Sequence, residues 1–599
     1  MSTYISHDVI RKLCTEIYAE TGKRAHVVDA TWNMPAWNNL LNNSTILKPG
    51  RPSCYFQPRG SDDVVAACRV AARHGLKISA RGSGHHYGGA SLVEGSLLLD
   101  LSVMRSAEVD PATRTARVGP AVTAQQLRSA LAPHGLHFPL PHLSDVGLSG
   151  YLLGGGNGWG VRHWGAAADN VEEIEVVLLA GSGPAGGDEG GKGGGAAGDA
   201  VRDPESSCRL VRVRSETNAE LFWGLRGGGF FLGVVTEFVL NLHPVASRLP
   251  LIKATYPLSL LSQVSEFFWK LHTSNSSRVE ASLAIVGAAS ATRATDGSDA
   301  SGNSGSDSGC STLPADGGGS GGGGHGSRTN VAPGNGHASP TDGRARAVVL
   351  LSCHAFADPE SDEVEVPYGK LRAFLPEARL SFQEGTVPYE EALSVLDASW
   401  NWPGLCMYGH GIFVPVSSLH INDGVDGGDD DDDGAPTTDD CGAGGVVATL
   451  AAAAASLTSD RSILLLCPSA PSRPESAATQ AVAPAACGAS GGCSAEARGV
   501  VPGALGFRDT LYLGIYAMWS RSRTGPDSDG DGDGDGDAAH VAWVRLCSAS
   551  LEPYTLGLYV NEVMHDEPGQ VRRSYEELSY MRLQALKKRV DPSGLLRAL

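Results

Sequence analysis

With 599 residues the chain exceeds what a single hydrophobic core supports, so two or more domains are expected. Its formal charge of −19 is largely local, because nine aspartates lie between Asp423 and Asp440 and six more between Asp527 and Asp537, leaving a near-neutral body. Such a body lacks the clustered Lys and Arg that displace counterions, which excludes nucleic acid as an expected partner. The twelve cysteines are scattered without a C-x-x-C pair, which favours reduced, buried thiols over a zinc site or a disulfide framework, and no metal is expected. The first residues lack a basic region followed by an apolar core, and no later segment offers about eighteen uninterrupted apolar residues. This predicts a soluble, cytoplasmic protein with no membrane span and leaves organelle targeting undecided.

In chain order, Val64, Val65, Cys68, Val70 and Ala71 recur at helical spacing and predict a helix over 62–74, with Gly75 as its stop. An apolar strand over 75–80 follows and gives way to Arg81-Gly82-Ser83-Gly84-His85-His86. A loop this poor in side chains lets backbone N–H groups approach an anion, and Arg81 adds positive charge, so the segment reads as a diphosphate cradle. A second run, Gly154-Gly155-Gly156-Asn157-Gly158, is too distant for one loop but suits two loops converging on one extended ligand, a dinucleotide. Dense β-branched residues predict buried strands over 174–179 and 347–352. Segments 183–207, 290–344, 423–445, 469–497 and 523–538 are too poor in large apolar residues to offset their ordering entropy and read as flexible insertions. At the C-terminus a helix over 574–590 is predicted, with Tyr575, Leu578, Met581, Leu583 and Leu586 on its packed face.

Two motifs are set aside. Gly181-Ser182-Gly183-Pro184-Ala185-Gly186 fits G-x-G-x-x-G, but Pro184 and more glycines stand where a Rossmann helix would begin. The ladder from Asp527 imitates a calcium loop, yet Ala538 occupies the position that needs a bidentate glutamate.

The chain resembles flavin-linked oxidases of the vanillyl-alcohol oxidase and p-cresol methylhydroxylase superfamily, and within it the berberine-bridge-enzyme-like group. Four blocks in order carry the resemblance: Arg81 to His85; Asp145 to Tyr151, continuing through the glycine run to Asp169-Asn170-Val171; Leu221 to Gly229 with Gly233-Val234-Val235-Thr236; and Tyr559-Val560-Asn561-Glu562 with Asp591-Pro592. It implies an α+β fold: an N-terminal helical extension (1–48), a flavin domain of two α+β subdomains (49–244), an inserted substrate domain of antiparallel sheet and helices (245–555), and a closing segment (556–599). FAD is the implied cofactor. Arg81, Gly82, Ser83 and Gly84 would hold its diphosphate. Ser144, Asp145, Gly147, Gly150, Tyr151, Gly154, Gly155 and Val176 would line its adenine, ribose or ring. His85 is implied as the covalent tether, with His86 as the neighbouring competitor. Leu143 stands where many members carry a cysteine, so no second covalent link is expected.

The implied activity is hydride transfer from an alcohol, sugar, amine or activated C–H substrate to the flavin and then to O2, giving hydrogen peroxide. Glu562 follows the Tyr-x-Asn motif where the family often has a tyrosine base, and a carboxylate in a dry pocket can serve the same purpose. Its other reading is a surface glutamate bonded to a backbone amide or to Arg508. Tyr559 and Asn561 are candidates for positioning ring or substrate, and Arg508 for touching substrate. Leu143, Ser83 and Phe230 depart from the family pattern and leave open a second reading, a flavin fold that has lost catalysis and serves as a binding or structural protein.

Overall fold

The computed structural model describes residues 6–28, 50–179, 208–287, 347–397, 405–419, 445–472, 503–520, 534–564, 567 and 569–598. The first sheet contains β1 (Ala25–Val27), β2 (Cys54–Phe56), β3 (Ile78–Arg81) and β4 (Leu97–Asp100) in the order β1-β2-β4-β3, with β4 parallel to both β2 and β3. The helix Ser61–Arg73 covers it and buries Val64, Val65, Cys68 and Ala71, the periodic residues of the sequence. Its chain reverses at Gly75, whose φ of +63° lies where a side chain is strained. The N-terminal extension is more than helical: the helix His7–Thr21 is followed by β1, which pairs with β2.

The second sheet takes β5 (Ala107–Asp110) and β6 (Thr115–Val118); β7 (Leu136–His137) lies apart, and β8 (Val171–Leu178), β9 (Arg209–Val213) and β10 (Val234–Asn241) complete it in the order β5-β6-β10-β8-β9. β7 pairs instead with β11 (His243–Pro244). All neighbours in this second sheet are antiparallel.

The third sheet has eight antiparallel strands: β12 (Arg248–Pro257), β13 (Val279–Gly287), β14 (Ala347–Ala355), β15 (Ser381–Pro388), β16 (Cys406–Pro415), β17 (Ile463–Pro468), β18 (Thr510–Trp519) and β19 (Gly557–Leu558). Their order is β15-β12-β14-β13-β17-β18-β16-β19. β19 belongs to this sheet, so the segment from 556 onward contributes its first strand to the third sheet.

The terminal helix spans Glu577–Val590, but its buried face differs from the predicted one. Leu583 and Leu586 are buried, whereas Leu578 and Met581 are 81% and 56% exposed. The glycines of the third sequence block explain the selection, since a Cβ on Gly224 would lie 2.5 Å from Leu586 and one on Gly228 2.5 Å from Leu583. Beyond this helix the Asp591 carboxylate accepts from the N–H groups of Leu595 and Leu596, each at 2.9 Å, and Leu596 forms a parallel bridge with Ile78 of β3.

Of the expected insertions, 183–207 and 290–344 lie outside the described residues, as do most of 423–445 and 469–497. The G-x-G-x-x-G run lies outside them too. Ser469 is ordered, its N–H donating to the Thr510 carbonyl at 3.0 Å. The linker read to end at residue 538 is a helix from Gly534, Gly534–Leu551. Tertiary contacts override its poor composition: Trp519 Nε1 donates to Asp537 at 2.6 Å and stacks on His540 at 4.5 Å. No helix of the described residues is long and apolar enough to cross a membrane, and none of their acidic, histidine and cysteine side chains cluster as a metal site.

Candidate active site

β3 ends at Arg81, and the chain then turns through the glycine loop into the mouth of a long cleft. The guanidinium of Arg81 faces inward, donating to Asp100 at 3.2 Å across the parallel β3–β4 register, with its side chain only 7% exposed. Arg81 thus pairs with Asp100 while it also lines the cleft beside Gly84. None of the backbone N–H groups of Gly82, Ser83, Gly84 and His85 donates to an acceptor among the described residues. Four successive unpaired donors on half-buried residues leave this loop able to receive an anion. Gly84 has φ of +80°, and a Cβ there would lie 2.6 Å from Arg81 Nε.

The second flavin block meets this loop directly. Gly147 N–H donates to Ser83 Oγ at 3.0 Å, and Gly147, Gly150 and Tyr151 line the cleft with Leu143. Gly154 and Gly155 do not line it, because their N–H groups close the turn onto Gly150 and Leu152. They serve close packing: a Cβ on Gly154 would lie 2.1 Å from Asn561, and Gly155 has φ of +100° against Leu505. Ser144 also stands off the cleft, donating through N–H and Oγ to Asp397 at 2.9 and 2.5 Å. Val176 pairs with Val235 and backs the wall that Val234 and Val235 present.

His85 Nε2 lies 3.1 Å from Asp145 Oδ1. Burial pulls the imidazole pKa down, but the Asp145 charge and hydrogen bond outweigh it, and the net direction is upward. His86 is the opposite case: burial first, and then the Arg597 charge, push it down to about 3, so it is neutral. Its ring meets Phe230 edge-on at 5.5 Å.

At the far end, Glu562 follows β19 on a short 3₁₀ turn, Val560–Glu562. Its carboxylate accepts hydrogen bonds from Tyr516 at 2.5 Å and from Tyr512. The strands create the space for it. Gly411 of β16 pairs directly with Gly514 of β18, and a Cβ on Gly411 would lie 2.3 Å from Glu562 Oε2. Loss of solvent raises the Glu562 pKa to about 7, against the tyrosine hydrogen bonds and the His85 charge that lower it. Tyr512 and Tyr516 are pushed well above their ordinary value by burial and by that carboxylate, so both remain donors. Tyr87 joins the ends, its ring 5.6 Å from both His85 and Tyr516.

Tyr559 and Asn561 brace this turn. The Tyr559 hydroxyl accepts from Asn157 N–H at 3.2 Å and from Asn561 Nδ2 at 3.1 Å. Arg508 neither touches Glu562 nor lines the cleft; it holds Asp169 at 2.7 and 2.9 Å, joining the substrate and flavin domains. Tyr512 and Tyr516 are the functional candidates that sequence reading missed. The available signal was alternation, since Tyr512, Gly514 and Tyr516 share one face of a strand.

The cleft from Arg597 to Glu562 encloses about 1580 Å³, its open mouth included. The length, the free amides of the glycine loop and the polar end at Glu562 fit a flavin dinucleotide with a substrate beside its ring.

Comparison with known proteins agrees. The FAD binding domain family matches residues 52–183. FAD-linked oxidoreductase janO of Penicillium janthinellum is 31% identical over 239 residues, covering 39% of this chain and 46% of that protein. (R)-6-hydroxynicotine oxidase of Paenarthrobacter nicotinovorans is 30% identical over 199 residues, covering 33% and 38%. The matches thus span less than half the length of these curated relatives. The solved structure of Physcomitrella patens BBE-like 1 superposes with a TM-score of 0.64 at 16% identity, covering 98% of this chain and 97% of that one. Residues 52–183 therefore form an FAD binding domain, and the chain has the p-cresol-methylhydroxylase-type fold of the berberine-bridge-enzyme-like flavoproteins.

Proposed function

We propose that the protein is an FAD-dependent oxidase that removes a hydride from a small alcohol, sugar, amine or activated C–H substrate, with O2 as the electron acceptor. The observation that carries this reading is the Glu562 carboxylate held by Tyr512 and Tyr516 in the wall of the same cleft that the glycine loop opens, where loss of solvent raises its pKa to about 7. When bound, FAD supplies the hydride acceptor and passes the electrons to O2 as hydrogen peroxide.

The remaining work belongs to the chain. The amides of Gly82, Ser83 and Gly84 receive the diphosphate, while Gly147, Gly150 and Tyr151 flank the cofactor and Tyr559 with Asn561 fixes the turn that carries Glu562. Glu562 Oε takes the proton from the substrate hydroxyl or amine as the hydride leaves, and Tyr512 and Tyr516 hold it in place by their hydrogen bonds. His85, held by Asp145, would be the residue that attaches to the flavin.

Glu562→Gln should slow anaerobic flavin reduction by about 10²–10⁴-fold with flavin still bound. Stopped-flow absorbance measures this, and a variant reducing its flavin at the wild-type rate removes Glu562 as the base.

A further inference from the structure

We infer that Arg597, in the segment that follows Asp591, is the side chain that supplies positive charge to the diphosphate of the bound dinucleotide, a role that rests on the flavin reading above. Among the described residues lining the cleft, Arg81 and Arg597 are the two with permanent cationic groups. Arg81 is bound to Asp100 at 3.2 Å. Arg597 is half-buried, donates to the Ala90 carbonyl at 3.0 Å and forms no ion pair among the described residues. A cation removed from water without a counter-charge is unfavourable, so a site that retains one is built for an anion. Burial accordingly draws its pKa down to about 10.

The fold delivers Arg597 to this position. Asp591 fixes the N–H groups of Leu595 and Leu596, Ile78 N–H donates to the Leu595 carbonyl at 2.8 Å, and Leu596 bridges to β3. The terminal segment therefore runs beside the strand whose end becomes the glycine loop. Its charge also reaches His86, the residue just after the cradle. Backbone amides and Arg597 would approach the diphosphate from two sides, and the terminal residues become part of the cofactor site.

The test uses full-length protein produced under flavin starvation, with uptake of added FAD followed by loss of flavin fluorescence at low and high salt. Arg597→Gln is expected to weaken FAD binding about tenfold at low salt, with the difference shrinking at high salt, and Arg597→Lys to recover most of it. Equal affinity of Arg597→Gln and wild type overturns the assignment. A loss that is the same at both salt concentrations and unrescued by lysine also overturns it, since that is the mark of a role confined to bracing Ala90. Wild-type protein that takes up no FAD removes the flavin reading itself, an outcome distinct from either.

Discussion

Glu562 has a proton affinity set by what surrounds it rather than by its own chemistry. Desolvation raises it to about 7, and two tyrosine donors and the His85 charge keep it from rising further. Because the ionised carboxylate is the base, flavin reduction should accelerate as pH increases through about 7, and Glu562→Gln should abolish that rise; rapid-mixing measurements across the pH range decide it. At the cradle, the pairing of His85 with Asp145 makes a separate prediction. Acid precipitation should leave the yellow colour in the pellet of wild-type protein and release it into the supernatant for His85→Ala, while His86→Ala behaves as wild type. Retained colour in the His85→Ala pellet would move the tether elsewhere. The histidine and the glutamate were both singled out in the sequence because each sits in a compact local motif, and both line the cleft. Arg81 was read as a diphosphate contact; it lines the cleft, and its pairing with Asp100 was not legible, since a side chain's direction depends on a partner strand that local sequence does not specify.

Among the elements, the pairing of β16 with β18 decides the shape of the catalytic end. Gly411 opposite Gly514 opens a gap between the two strands, and the Glu562 carboxylate and the tyrosine rings occupy it. Gly411→Ala should displace that carboxylate and lower the rate of flavin reduction by up to about 10²-fold while flavin content remains normal, which turnover and absorbance measured on one preparation will show. The helix Ser61–Arg73 was readable because its apolar residues follow the helical period and its partner is a single sheet. The terminal helix was readable in existence but not in orientation. Leu578 and Met581 are as apolar as Leu583 and Leu586, and only the glycine notches at 224 and 228 select which pair is covered. The beginning of the helix Gly534–Leu551 was misread for a related reason, because its anchor, Trp519, lies on another element.

At the scale of the whole molecule, the residues up to 243 and the third sheet meet over buried histidines and aromatic rings. His137 contacts Trp164 and Phe356, and His354 contacts Trp159 and Phe356, at ring separations of 4.7 to 5.0 Å, while His243 stacks on Trp164 at 5.2 Å. Burial lowers all three, His243 and His354 to about 3. Their folded pKa values lie below the ordinary 6.5, so the unfolded chain binds more protons as pH falls. The stability they contribute is complete above about pH 6.5 and is lost below it, by up to about 1.4 kcal/mol per pH unit for each histidine. Urea unfolding midpoints should therefore drop steeply between about pH 6.5 and pH 5; a flat profile would show that these rings accept protons without opening the interface.

The sequence by itself determined the glycine loop, because backbone approach to a diphosphate demands small residues at contiguous positions, while the resemblance carried by the four blocks singled out the flavin domain and His85. The tertiary structure decided the rest. It selected which glycines line the cleft and which only admit a neighbour, turned Arg81 inward, brought Tyr512 and Tyr516 to Glu562, and carried Arg597 beside β3. Those contacts join residues tens to hundreds of positions apart, so strand register and close packing, not local pattern, determine them.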